Sequence, residues 1–205
     1  MTRDYVLIVI SYLLGCFNTG YYFTKLFYQQ DVREIGTGVT GAMNVRRLAG
    51  RKGFAITFLG DTIKGALAVL LCRAFQTPDW VVLSCIFMVL LGHVFPFQLK
   101  FRGGKGMSTI FGALLAYQPV LLLMLFGTCL LLYPFIRRYT VTSLFAILIF
   151  PLELFFADFS FLMVYFSLGY AIIIIYACRS NVKEYIQTKA LEGSIPKKEK
   201  KRKSR

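Results

Sequence analysis

Long stretches without a charged residue run through the chain. Three of them, residues 5–24, 80–99 and 159–178, are each 20 residues long, the length of an α-helix that crosses about 30 Å of hydrocarbon. Residues 139–157 predict a further span. Residues 53–72 predict another, but they include Asp61 and Lys64, and charges inside a membrane must be paired or face a polar cavity.

The uncharged stretch 106–136 is too long for a single span. Its 31 residues would form a helix of roughly 46 Å. Tyr117, Gln118 and Pro119 interrupt it, because proline disfavours helical geometry in its neighbour and suits the first position of a new helix. We therefore predict two shorter helices here, with a tight turn on the outer side, and seven transmembrane helices in total.

The composition agrees with this pattern. The chain has 205 residues, of which 57% are hydrophobic and 17% charged, and its mean hydropathy is +0.61. A soluble protein of this length could not hide so many apolar runs from water. The predicted fold class is an all-α integral membrane protein.

The net charge of +14 matters because of where the basic residues lie. They gather in alternate loops and at the C-terminus, which by the positive-inside rule places those loops and the C-terminus in the cytoplasm and the N-terminus outside. The basic residues of the three predicted inner loops are Arg33, Arg46, Arg47, Arg51 and Lys52, then Lys100, Arg102 and Lys105, and then Arg137 and Arg138.

The end of the chain has a different composition. We predict a membrane domain over residues 1–185 and a disordered basic tail over residues 186–205. Residues 197–205 hold seven basic residues and Glu199, which favours attraction to anionic membrane lipid. A solvated tail without a partner is an equal alternative. Nucleic-acid binding is not expected, because no aromatic residue is interleaved with these charges.

No metal or cofactor is expected. The five cysteines lie in or at the end of apolar stretches, at positions 16, 72, 85, 129 and 178. No pair of them has metal-ligand or redox spacing.

Two glycine-rich basic loops predict an anion site. They cover residues 36–50 and 92–106, on the same predicted face of the membrane. Glycines allow backbone N–H groups to turn toward an anion, and a helix that starts next to them adds the positive end of its dipole. The GxGxxG pattern at Gly36, Gly38 and Gly41 follows a membrane helix rather than a strand, so it does not indicate a dinucleotide site.

Each of these features also has a structural interpretation. The glycines would allow close helix packing, and Asp61 and Lys64, three residues apart, would form an ion pair on one helical face. His93, the single histidine of the chain, would be a satisfied residue at the membrane interface.

Several segments together resemble a known family. The chain is similar to the bacterial PlsY-type acyl-phosphate:glycerol-3-phosphate acyltransferases, in order and spacing, up to about Tyr185. The segments that carry the resemblance are residues 18–21 (NTGY), 31–50, 60–65 (GDTIKG), 92–96 (GHVFP) and 100–106 (KFRGGKG). The family has seven helices with an external N-terminus, in agreement with the topology predicted above.

The resemblance implies transfer of an acyl group from acyl phosphate to the sn-1 hydroxyl of glycerol 3-phosphate, which forms lysophosphatidic acid in phospholipid synthesis. It implies a bacterial plasma-membrane enzyme with a cytoplasmic active face, fed by an enzyme that supplies acyl phosphate. The expected catalytic residues are Arg47, Lys105, Asn181 and Cys178. The expected substrate-binding residues are Thr37, Gly38, Gly41, Asn44, Asp61, Lys64, His93, Gly103, Gly104 and Ser143, the last interchangeable with Thr140 by spacing.

The chain departs from the family pattern at several positions. Family members usually have Ser, Asn and Thr where this chain has Thr37, Val39 and Met43, and histidine where it has Cys178. The first hypothesis is an active acyltransferase in which the phosphate of the substrate takes the proton. The second is a catalytically impaired paralogue that binds phospholipid or phosphate compounds as a scaffold or regulator. A transporter fits less well, because the charges gather at one membrane face.

Overall fold

A computed structural model describes the backbone of residues 2–194 and the side chains of residues 2–179. The side chain of Asn181 and the basic residues 197–205 lie outside these described residues. The helices of the described part are α1 (Thr2–Cys16), α2 (Thr19–Tyr28), α3 (Ala42–Ala74), α4 (Asp79–Val94), α5 (Met107–Tyr117), α6 (Pro119–Ile136), α7 (Tyr139–Phe156) and α8 (Phe161–Ser194).

The seven-helix prediction is confirmed when α1 and α2 are taken together as the first span. By length and apolarity, six of the seven can cross a membrane within the described chain. The exception is α5, which has 11 residues. The predicted break before α6 is also confirmed, because Gln118 is extended and Pro119 begins the helix, where its missing N–H removes no hydrogen bond.

The first span is not the continuous helix that its apolar pattern predicts. It breaks at Phe17 and Asn18, between α1 and α2. A break inside a membrane exposes carbonyl groups that must find donors within the protein. Those donors come from α3 and from the segment after α4, and are described with the site below.

Helix α3 is longer than its predicted apolar core and bends near its start. It has 33 residues, and Gly50 interrupts it with φ 62° and ψ −154°. A Cβ on Gly50 would meet no atom within 4 Å, so glycine is needed here for backbone conformation rather than for space. The bend separates Ala42–Ala49 from the membrane-spanning part.

Glycines allow two pairs of helices to approach closely. Helices α1 and α4 meet where a Cβ on Gly15 would overlap the carbonyl oxygen of Val89. Helices α3 and α5 meet where a Cβ on Gly112 would overlap the carbonyl oxygen of Thr62. Small residues at membrane-helix crossings increase van der Waals contact, which drives association in lipid. These crossings hold α3, α4 and α5 around the site.

The last helices close the other side of the bundle. Tyr170 of α8 donates a 3.0 Å hydrogen bond to the carbonyl of Leu83 in α4. Glu153, the acidic residue inside the α7 span, accepts a hydrogen bond from Thr128 of α6. Helix α8 continues to Ser194, so the predicted boundary at residue 185 falls inside it. The division into domain and tail stays a prediction, as does the side of the membrane on which each terminus lies.

Candidate active site

A cavity of about 620 Å³ lies between the first glycine-rich loop and helices α3, α5 and α7. Its polar side chains are those of Thr37, Asn44, Arg46, Arg47, Asp61, His93, Lys105, Ser108, Thr140 and Ser143. The remaining lining residues are Val39, Gly41, Ala42, Met43, Phe54, Phe58, Gly106, Met107, Phe111 and Tyr139.

Most of the residues expected at the site lie around this cavity. They come from positions far apart in sequence, and are Thr37, Gly41, Asn44, Arg47, Asp61, His93, Lys105 and Ser143. Five other expected residues, Gly38, Lys64, Gly103, Gly104 and Cys178, are not among its lining. Gly38 lies in a turn, where its N–H donates to the carbonyl of Ile35.

Three cations, Arg46, Arg47 and Lys105, and two helix N-termini line the cavity. Arg47 comes from the first turns of α3, and Lys105 lies two residues before the first residue of α5. The lining also includes Ala42 and Met107, the first residues of these two helices. Helix N-termini carry partial positive charge and N–H groups without partners within the helix. Together these groups form a site suited to an anion, and to phosphate in particular.

Asn44 organises the loop before α3. Its Nδ2 donates to the carbonyls of Val32, Ile35 and Val39 at 2.8–2.9 Å, and its Oδ1 accepts from the N–H of Thr37 at 3.1 Å. Asn44 is 2% exposed. Its amide group therefore makes its hydrogen bonds within the loop, and these bonds hold the shape of one wall of the cavity.

Gly103 and Gly104 do not direct their N–H groups toward the cavity, contrary to the expectation for glycine-rich anion loops. The N–H of Gly103 donates to Val94 at 3.1 Å, and that of Gly104 donates to His93 at 3.0 Å. These bonds satisfy carbonyls left free at the C-terminal end of α4. The carbonyl of Gly103 accepts from the N–H of Thr40, so the two glycine-rich loops are joined.

Lys64 donates hydrogen bonds to backbone carbonyls at the break in the first span. Its Nζ lies 3.0 Å from Oδ1 of Asp61 and donates to the carbonyls of Gly15 and Phe17 at 3.0 and 2.6 Å. The side chain of Lys64 is only 5% exposed. The carbonyl of Cys16, which lies between Gly15 and Phe17 in the chain, accepts hydrogen bonds from the side-chain amides of Asn18 and Gln98. All three donors of the Lys64 ammonium are thus used within the protein.

The break also connects to the cavity. Asn18 is fully buried and its Oδ1 accepts a 2.5 Å hydrogen bond from the hydroxyl of Thr40, in the first glycine-rich loop. Asp61 accepts from the N–H of Thr19 at 3.4 Å and also lines the cavity. The polar interior of the first span therefore supports the wall of the site.

An ion pair outside the membrane fixes the start of the first loop. Arg33 and Asp31 are 2.6 Å apart, and Nη1 of Arg33 donates to the carbonyl of Leu99 at 2.7 Å. The guanidinium also lies 4.9 Å from the ring centroid of Tyr21. The hydrogen bond from Arg33 lowers the pKa of the Asp31 carboxyl, although partial burial opposes this change.

The aromatic part of the cavity was not expected from the sequence. Phe54 and Phe58 of α3 have ring centroids 5.9 Å apart, and Phe58 lies 5.6 Å from Phe111 of α5. The signal for the first pair was their separation of four residues, which places them on one helical face. Aromatic residues of other helices, such as Phe155 and Phe156 of α7, are exposed, so spacing alone did not identify a cavity wall.

Comparison with known proteins identifies the family. The family model described as "Glycerol-3-phosphate acyltransferase" matches residues 5–188. The chain belongs to the glycerol-3-phosphate acyltransferase family. It is 41% identical over 145 residues to glycerol-3-phosphate acyltransferase 1 of Desulfitobacterium hafniense, with 71% of this chain and 72% of the relative covered. It is 35% identical over 179 residues to the corresponding Bacillus cereus protein, with 87% and 98% covered.

The fold of this acyltransferase agrees with that assignment. It is similar to the crystal structure of PlsY, an integral membrane glycerol 3-phosphate acyltransferase, in the glycerol 3-phosphate form. The TM-score is 0.82 at 29% identity, with 91% of this chain and 93% of PlsY covered. The lysophosphatidic acid form of PlsY gives a TM-score of 0.79 at 28% identity, with the same coverage. The resemblance drawn from the sequence motifs is therefore confirmed.

Cys178 of this acyltransferase lies in the packed interior of the bundle. It is 0% exposed and belongs to the same hydrophobic cluster as Tyr170 and Ile174 of α8. The cysteine is not among the residues that line the cavity.

Proposed function

We propose that this acyltransferase transfers a fatty acyl group from acyl phosphate to the sn-1 hydroxyl of glycerol 3-phosphate, forming lysophosphatidic acid and inorganic phosphate. The observation that carries the proposal is a single cavity with two kinds of wall. Arg47, Lys105 and the N-termini of α3 and α5 lie on one part of its surface, and Phe54, Phe58 and Phe111 lie on another.

The charged wall suits the phosphates of both substrates. Arg47 is suited to bidentate contact with phosphate oxygens, because its guanidinium presents a planar fork of donors. Lys105 adds a compact positive charge beside the N-terminus of α5. In our proposal these two residues bind the phosphate groups and stabilise the negative charge that develops on the departing phosphate.

The aromatic wall suits the fatty acyl chain. Burying an apolar chain against aromatic side chains is favourable, at about 25 cal/mol per Å² removed from water. With the acyl phosphate held at both ends, the reaction needs mainly the correct placement of the acceptor hydroxyl. Holding two reactants in the reacting geometry supplies a large part of a rate enhancement, and phosphate is already a good leaving group.

The loop and the helix break provide the rigid support for this placement. We assign Asn44 and Thr37 to the shape of the first loop, on the strength of their hydrogen bond at 3.1 Å. Ser143 and Thr140 of α7 also line the cavity, and there we place a contact with the glycerol hydroxyls. Asn181 keeps its expected catalytic role from the resemblance alone.

The membrane side and the partners are also proposals. The basic loops favour a cytoplasmic active face of the bacterial plasma membrane, where soluble glycerol 3-phosphate is available. An enzyme that supplies acyl phosphate and an attraction of the basic tail to anionic lipid complete this proposal. We do not adopt the scaffold hypothesis, because the relatives at 41% and 35% identity are named glycerol-3-phosphate acyltransferases.

The test is an assay of purified protein in lipid nanodiscs with palmitoyl phosphate and labelled glycerol 3-phosphate. We expect labelled lysophosphatidic acid. Arg47→Ala should lower kcat/KM about 10- to 150-fold, which corresponds to about 1.5–3 kcal/mol for a hydrogen bond to a charged group.

The matched control is Arg51→Ala, because Arg51 is exposed on the same helix and does not line the cavity. Palmitoyl-coenzyme A in a parallel reaction tests the choice of donor. Product formation by the wild type no greater than by Arg47→Ala would contradict the proposed reaction.

A further inference from the structure

Arg46 lies in the wall of the cavity, although the sequence accounts for it only as one of the basic residues of an inner loop. It lines the cavity together with its neighbour Arg47, and the positive-inside rule requires neither residue to do so. Arg46 is exposed, and no hydrogen bond or ion pair joins its side chain to another described residue. Its guanidinium is therefore available to a ligand.

The side chains of Arg46 and Arg47 leave α3 in different directions. Consecutive residues of an α-helix project roughly 100° apart and do not face each other. Arg47 is directed toward the first glycine-rich loop, because a Cβ built on Gly36 would overlap its Nη1. The two side chains therefore reach the cavity wall at different places, which favours two bound phosphate groups over one group that contacts both arginines.

The proposed reaction brings two phosphate groups into one cavity. An organic phosphate carries a charge of about −1.5 to −2 near pH 7, so the two substrates repel each other unless cations lie beside both. Arg47 and Lys105 offset only about half of the combined charge of the two phosphates. Arg46 supplies a third positive charge in the same lining.

The two substrates differ in how they reach the cavity. The acyl chain of the donor belongs along the aromatic wall, in the apolar part of the lining. Glycerol 3-phosphate is small and soluble in water, so it arrives from the aqueous side, where an exposed cation attracts it over a distance. Arg46 has this exposed position and no contact that holds it against the loop.

We propose that Arg46 binds the phosphate of glycerol 3-phosphate and so determines the affinity for the acceptor. This inference rests on the proposed function and assigns the third cation of the cavity to one of the two substrates. The planar guanidinium donates two parallel hydrogen bonds to two phosphate oxygens. The phosphate of the acceptor takes no part in bond making or breaking, so its contact is the same in the ground state and the transition state. Loss of such a contact raises KM and leaves kcat unchanged.

The experiment measures the Kd of labelled glycerol 3-phosphate by equilibrium dialysis, and its KM with saturating palmitoyl phosphate, in nanodiscs of phosphatidylcholine. Arg46→Leu should raise both constants at least tenfold, the loss expected for a hydrogen bond to a charged group. It should leave kcat and the KM for palmitoyl phosphate within threefold. Arg46→Lys should recover part of the loss, because lysine keeps the charge but not the planar pair of donors.

Salt separates a direct contact from a displaced loop. Added salt screens exposed charges, so it should reduce the difference in Kd between the wild type and Arg46→Leu. A structural effect of the substitution would not depend on salt in this way. A difference that stays constant as salt rises would overturn the inference.

The matched control is Arg51→Leu, which removes an exposed arginine of the same helix from outside the cavity lining and should change Kd less than threefold. Nanodiscs with added phosphatidylglycerol test the other source of phosphate. An effect of Arg46→Leu confined to those anionic nanodiscs would assign Arg46 to a lipid headgroup and overturn the inference. Equal affinity of the wild type and Arg46→Leu for glycerol 3-phosphate would overturn it as well. Absence of lysophosphatidic acid from a wild-type protein that binds glycerol 3-phosphate would instead contradict the proposed function.

Discussion

The ammonium of Lys64 donates a 2.6 Å hydrogen bond to the carbonyl of Phe17, the residue at which the first membrane span breaks. The same ammonium bonds the carbonyl of Gly15 and pairs with Asp61. A lysine on α3 thus satisfies carbonyl groups that α1 cannot satisfy itself. The buried charge is compensated on all sides, which explains why a span with two charged residues remains inside the membrane.

Replacing Lys64 by methionine should strongly destabilise the fold. The change would leave the Asp61 carboxylate without its buried counter-charge and two carbonyls without donors. Removing one partner of a buried pair costs about 3–5 kcal/mol. The melting temperature in detergent, monitored as the loss of monodisperse protein on heating, measures the effect. Lys52→Met is the control, because Lys52 is exposed, and an equal loss in both variants would contradict the role of Lys64.

Asn44→Asp should weaken binding of glycerol 3-phosphate while the helical bundle remains folded. The change removes the Nδ2 amide group, whose two hydrogens are shared among three loop carbonyls, and adds negative charge beside a site for anions. We expect KM for glycerol 3-phosphate to rise at least tenfold, equivalent to about 1.4 kcal/mol. Steady-state kinetics together with a thermal melt measure this, and an unchanged KM would show that the loop does not depend on Asn44.

Cys178→His should not restore a family-type histidine to the cavity. The thiol is fully buried in the packed cluster of α8, and the larger imidazole would have to displace its neighbours. Overpacking of this kind costs typically about 1–3 kcal/mol. We expect a lower melting temperature and no gain in kcat. Cys178→Ser is the control, because serine is close to cysteine in size. A gain in kcat on Cys178→His would show that this position reaches the substrate.

The Asp31–Arg33 pair should contribute to stability in a pH-dependent way. The hydrogen bond from Arg33 places the pKa of the Asp31 carboxyl below its ordinary value of about 3.9. The carboxylate therefore stabilises the folded state fully above that ordinary pKa. This contribution is lost as the pH falls through the lower pKa of the folded state.

The measurement is the difference in melting temperature between the wild type and Asp31→Asn. It should be largest near neutral pH and disappear only below about pH 4. Asparagine retains an acceptor for the N–H of Arg33 but loses the charge. Glu34→Gln, which changes an exposed acidic residue in the same turn, should show a much smaller difference. A difference for Asp31→Asn that persists unchanged below pH 4 would contradict the ionic contribution.

Some expected site residues have roles that the sequence did not distinguish. Gly103 and Gly104 match an anion-binding loop by composition, but their N–H groups satisfy the end of α4. Lys64 matches a phosphate-binding cation, but its donors face α1. Residue type states what a group is able to bind, whereas its actual partner depends on which helix lies beside it.

The sequence by itself determined the class, the family and the number of helices, because these follow from local properties. The length of an uncharged stretch decides whether it can span a membrane, and Pro119 interrupts a helix wherever the chain is placed. The motifs of the family are also local in sequence. Arg47 and Lys105 could therefore be placed at the site before the fold was known.

Only the tertiary structure decided the break between α1 and α2, the aromatic wall and the proximity of His93 to Asp61. A break within an apolar span is stable only if donors arrive from other helices, and Lys64 lies 47 residues from the carbonyl of Phe17. Asp61 and His93 meet because the crossings between α1, α3, α4 and α5 bring them together. Such contacts depend on packing between distant segments, and hydrophobic pattern and spacing along a single chain do not specify them.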